Sequence, residues 1–153
     1  MKICLIIPCI FLSLALVSLT NERTHLPNAN SWSISIGEKE LLASWLHNEM
    51  GDTVTLKRIK LNGADSLVAR RYLCGQSAEG LLVTLTIKNS RGETIAESET
   101  MNEHLMFSGS LRVSEIMYSP KIQSGDVVGV YFTIRTVTDK QDYPVLLGNL
   151  KLE

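Results

Sequence analysis

One thiol beyond the apolar N-terminal run, three imidazoles and a row of carboxylates are the side chains of this sequence whose types could carry out chemistry. Cys74 lies far from His25, His47 and His104 along the chain. A catalytic cysteine needs a neighbouring base to hold it as thiolate at neutral pH. No histidine spacing supplies that base, so Cys74 reads as a small apolar residue at a strand end. The rival reading is a thiol that pairs between two molecules in an oxidising compartment. His47-Asn48-Glu49 has the outward form of a His-x-Glu element. A zinc deaminase also needs Pro-Cys-x-x-Cys, which the sequence lacks, and zinc asks for more ligands than this segment offers. No metal and no cofactor is expected.

The carboxylates cluster at Glu93, Glu97, Glu99 and Glu103. Paired carboxylates can hydrolyse glycosides at a suitable separation. Such a row on an alternating strand more simply makes a solvated edge that resists edge-to-edge aggregation, and that reading is preferred. Gly-x-Ser-x-Gly is absent, and Ser108 sits inside an alternating run rather than at a strand-to-helix elbow. The phosphate loop and the dinucleotide fingerprint are absent as well. No catalytic residue is assigned, and the chain is read as a non-enzyme, with a small exported enzyme as one alternative.

The only basic concentration is Lys57, Arg58 and Lys60, followed by Arg70 and Arg71. Paired across a hairpin, these five charges would meet an acidic partner or an anionic glycan. Net charge is −1, so no global surplus exists to condense on a polyanion. Aromatic interleaving is thin, with Tyr72 alone nearby, and nucleic acid is not expected. Trp32 and Trp45 read as core.

What must position these residues is a single exported domain. Met1-Lys2 is a short positive start, Ile3 to Leu19 runs without a charge, and Thr20-Asn21-Glu22-Arg23 turns polar at once. That is the layout of a secretory signal peptide over residues 1–20, cut after Ala15 or Thr20. An uncleaved anchor and a lipid-bearing Cys9 are the rivals. With Cys4 and Cys9 in the leader, the mature chain keeps Cys74 alone and has no internal disulfide. Together with the lack of an Asn-x-Ser/Thr sequon, this leans toward a bacterial periplasm or an extracellular location. Residues 21–30 lack periodicity and read as a flexible leader; residues 31–153 form the domain.

Within that domain the period is mostly two. Trp32, Ile34 and Ile36 alternate with serines. Leu41, Leu42, Trp45 and Leu46 fall at helical spacing, which predicts a helix over 38–49; an edge strand with Leu41, Ala43 and Trp45 inward is the rival. A strand from residue 53, bulged near Lys57-Arg58, and a strand Leu67 to Cys74 flank Asn62-Gly63 and predict a hairpin. Val83 to Ile87 and Thr94 to Thr100 flank a turn at Asn89–Gly92. Leu105 to Val113 alternates. Val128 to Ile134 predicts a central strand, and Val145 to Leu152 closes the chain with Leu146, Leu150 and Leu152 on one face. The expected fold is mainly β, an antiparallel β-sandwich of about eight short strands with one short helix near the N-terminus.

The expected function is binding through a sheet face or an edge strand, with another protein or a surface ligand as partner and no membrane contact once the leader is cut. The candidate contacts are the basic hairpin and the last strand. A structural subunit of a surface assembly, completed by strand exchange, is the remaining alternative.

Overall fold

The computed structural model describes residues 30–75, 80–102, 106–138 and 143–153. The expected signal peptide, residues 21–29 of the leader, His25, Glu103, His104 and Leu105 lie outside the described residues. The rest is mostly β: two sheets and a single short helix.

The strands are β1 (Asn30–Ile36), β2 (Lys39–Ala43), β3 (Thr53–Leu56), β4 (Ser66–Leu73), β5 (Leu82–Lys88), β6 (Thr94–Met101), β7 (Phe107–Arg112), β8 (Val127–Arg135) and β9 (Val145–Leu152), with α1 (Val113–Met117) between β7 and β8. One sheet has four strands in the order β2-β1-β4-β7. The other has five, in the order β3-β9-β8-β5-β6. The alternation read along the sequence is the cause. Val83, Leu85 and Ile87 of β5 are fully buried, as are Val128, Val130 and Phe132 of β8. Both sheets feed one hydrophobic cluster, Ile34, Leu67 and Phe107 from the first and Leu85, Phe132 and Leu150 from the second. Each such side chain stabilises the fold by roughly 1.5–3 kcal/mol.

At two glycines a strand of one sheet comes close to a strand of the other. A Cβ on Gly109 of β7 would lie 2.9 Å from Leu85 Cβ of β5, and one on Gly148 of β9 would lie 2.6 Å from Leu42 Cδ1 of β2.

Four expectations need correction. The first is the helix over 38–49, most of which is strand and turn. β1 turns through Gly37, whose φ is +56°, directly into β2, which pairs back antiparallel. A bulge at Leu41 sets Ile34 opposite Leu42 and Ser35 opposite Glu40. That extra residue makes Leu41 and Leu42 adjacent apolar positions and imitates helical spacing. A 3-10 turn, Ser44–Leu46, follows. The short helix is α1, late in the chain rather than near its start.

Second, residues 53–74 do not form a hairpin. β3 stops at Leu56, runs into a 3-10 turn at Arg58–Lys60, and belongs to the five-stranded sheet, whereas β4 pairs with β1 and β7 in the other. Asn62 still makes its turn, with Asp65 N–H donating to its carbonyl at 3.0 Å, but that turn carries the chain between sheets. Third, the sheets are not wholly antiparallel, because β3 and β9 run parallel. Fourth, β9 carries Leu147 rather than Leu146 into the core. A slip between Val130 and Tyr131 of β8 leaves Leu147 as an extra residue, and Leu147 is fully buried while Leu146 is half-buried.

Candidate functional site

The five basic residues separate into three groups. Lys57 and Lys60 bracket the 3-10 turn after β3 and are exposed. Arg58 between them has a structural bond, since its guanidinium donates to the carbonyl of Met117 at the end of α1. Arg70 lies on the outer face of β4 and donates to Ser35 Oγ at 3.4 Å. Arg71 takes the opposite parity. It shares the side of Leu67 and Ala69 and stands in register with Trp32 and Phe107. Burial there pulls the pKa of its guanidinium down. Arg71 lies toward the far end of β4 from Asp65, which just precedes that strand.

Lys57 and Lys60 meet a different partner. They line a cleft of about 340 Å³ between β2 and β3, the strands that end the two sheets on one side. Lys39, at the start of β2, is the third lysine. Ile36, Leu41, Leu56 and Leu61 supply apolar wall, and Thr55 and Asp65 supply polar groups. Three lysines and one carboxylate, Asp65, are thus among the residues that line a partly apolar cleft. Asp65 is positioned by backbone bonds, its N–H to Asn62 and its carbonyl to the N–H of Val113 at 2.9 Å. Lys57 also acts on Glu153, whose carboxyl is held below the usual range first by a hydrogen bond from Lys151 and also by the Lys57 charge.

The cleft brings together cationic and apolar side chains. It has no thiol, imidazole or serine nucleophile in its walls. The other candidates disperse. Cys74 is free and exposed. His47 is exposed in the left-handed region, φ +61°, after the 3-10 turn. Glu97 and Glu99 stand on the outer face of β6, an edge strand. Glu97 accepts from Thr86 at 3.0 Å, and Glu99 accepts from Thr84 at 3.2 Å and from Arg135 at 2.6 Å. Glu93 serves the β5–β6 turn: the hydrogen bond from Asn89, then Arg91, holds its carboxyl below the usual range. Among the described residues no group of three or more His, Cys, Asp or Glu side chains could hold a metal ion. Trp32 is core, but Trp45 is half-buried and donates its Nε1–H to Glu40 at 2.8 Å.

Of the residues that line this cleft, the sequence singles out Lys57 and Lys60 as candidates but not Lys39, Leu41 or Asp65. The available signal was Gly37, which makes a hairpin of β1 and β2 and so brings Lys39 to the sheet end. Comparison with protein-family models, curated proteins and solved structures found no match.

Proposed function

We propose that this protein is an exported, non-catalytic binding module, a β-sandwich that holds an anionic ligand with an apolar portion in the cleft between β2 and β3. The observation that carries this reading is the charge imbalance at that cleft. Lys39, Lys57 and Lys60 ring an apolar floor with Asp65 as the one carboxylate among the lining residues, and no ion pair among the described residues involves any of the three lysines. Lysines in such a place attract an anion and orient it, while the floor adds affinity by burying apolar surface. The sandwich is supported by the close approach of Gly109 to Leu85 and of Gly148 to Leu42 across the two sheets.

The experiment is a titration of the protein with 8-anilinonaphthalene-1-sulfonate, an anion with an apolar ring system, followed by fluorescence. The protein should enhance the dye's emission saturably. A Lys39→Glu/Lys57→Glu/Lys60→Glu variant should lose that response, and an Arg91→Glu control should keep it. Equal binding by a triple variant with native circular dichroism would remove the cleft from consideration.

A further inference from the structure

The flank of the cleft formed by β3 narrows the ligand class. Among the described residues β3 is bonded on one side only. Asn149 N–H donates to the Asp52 carbonyl at 2.7 Å, Glu153 N–H to the Leu56 carbonyl at 2.9 Å, and Arg58 N–H to the Glu153 carbonyl at 2.6 Å. In a ladder, alternate residues of a strand face its partner. Val54 and Leu56 thus turn their peptide groups to β9. Thr53 and Thr55 turn theirs to the open side, where β3 ends the sheet. Thr55 and Lys57 of this run also line the cleft. One place therefore offers unpaired strand peptide groups, an apolar floor and surplus ammonium charge.

We infer that the ligand is an extended acidic peptide segment, which adds to the free edge of β3 and places its carboxylates among Lys39, Lys57 and Lys60. The inference rests on the binding reading above and adds the chemistry of the ligand. Main-chain bonds to Thr53 and Thr55 give such a segment affinity, and alternate side chains give it selectivity. Ile36, Leu41 and Leu61 accept an apolar side chain, and the lysines accept the acidic ones. The same lysines repel a second copy of this edge, because two copies would bring like charges together. A free-floating amphiphile would use the lysines and the floor but leave the peptide groups of β3 unused.

The test uses the acetylated, amidated hexapeptide of alternating valine and glutamate. It is titrated against the full chain by calorimetry and as a competitor of the dye. Two twins carry backbone N-methyl groups, one on all valines and one on all glutamates. An extended peptide turns alternate N–H groups to its partner strand, so at least one twin should bind tenfold or more weakly than the parent. Lys57→Glu should weaken the parent at least tenfold with native circular dichroism. Peptide binding without a dye response would still support the inference. Equal binding by the parent and both twins would overturn strand addition. A parent peptide that fails to bind while the dye binds would overturn the inference and leave the binding reading standing. Failure of both probes would end both readings.

Discussion

Gly109 and Gly129 are both strand glycines, yet the surroundings assign them opposite costs. A Cβ on Gly109 meets Leu85 Cβ at 2.9 Å, an atom fixed to the backbone of the facing sheet. A Cβ on Gly129 meets Tyr131 Cε2 at 2.7 Å and Leu146 Cδ1 at 3.2 Å, the far ends of side chains on a half-exposed face. Gly109→Ala must push β7 and β5 apart at this point and should destabilise by about 1–3 kcal/mol, the range for overpacked cores. Gly129→Ala should cost clearly less, because Tyr131 can swing. Urea unfolding midpoints of the two variants decide this, and equal losses would show that Tyr131 is not free to yield. The sequence places Gly109 on the inward parity of its strand, but only the facing residue tells how little room there is. Lys39 has the same limitation. Its charge is plain in the sequence, while its position at the cleft depends on a two-residue turn that helical spacing conceals.

The β5–β6 hairpin shows how an element closes on one side chain. Asn89 is buried, its Oδ1 accepts the N–H groups of Arg91 and Glu93, each at 3.0 Å, and its Nδ2 donates to Glu93 Oε2 at 2.7 Å. Asn89→Ala leaves those donors to water at best and should cost roughly 1–3 kcal/mol. The pH dependence follows from the lowered pKa of Glu93, caused first by Asn89. A carboxyl depressed on folding contributes stability fully present above the ordinary glutamate value of about 4.3 and lost as pH falls through the lower folded value. Stability of the parent should therefore fall more steeply than that of Asn89→Ala as pH drops below that range, measured by urea unfolding at several pH values. This element is legible in advance, because Asn-Ser-Arg-Gly between alternating runs has a local mechanism. The apparent hairpin over 53–74 is not, because the partner of β3 is β9, at the other end of the domain. The bulges at Leu41 and Leu147 also elude a period-two reading, since each shifts the parity by one residue and only the partner strand exposes the slip.

For the whole molecule, the sequence conveys the β class, most strand positions and the central place of β8, because burial of alternate residues is a local pattern. It leaves the grouping of strands into sheets open, because pairing is decided by residues far apart. Among the described residues no helix is long and apolar enough to cross a membrane, and the exported reading leads to its own test. Intact mass of the protein from an expressing cell's exported fraction should begin at Leu16 or Asn21. Exposed Cys74 should then decide the covalent state: a mass that halves with reductant makes the functional unit a disulfide-linked dimer, and one that does not shows that Cys74 makes no intermolecular disulfide. A full-length mass would point to a retained anchor.

The parallel pairing of β3 with β9 reaches beyond the native state. Thr53 lies opposite Asn149, and β9 stands between β3 and β8. Until β9 is in place, β3 has no partner in the five-stranded sheet and β8 has one flank unsaturated. Contacts so remote in sequence close slowly, and β-rich chains dominated by them fold in milliseconds to seconds. Insertion of β9 is therefore the step that joins β3 to the rest of its sheet. The interval before it inserts is when the unfinished chain is most exposed to pairing with the wrong strand.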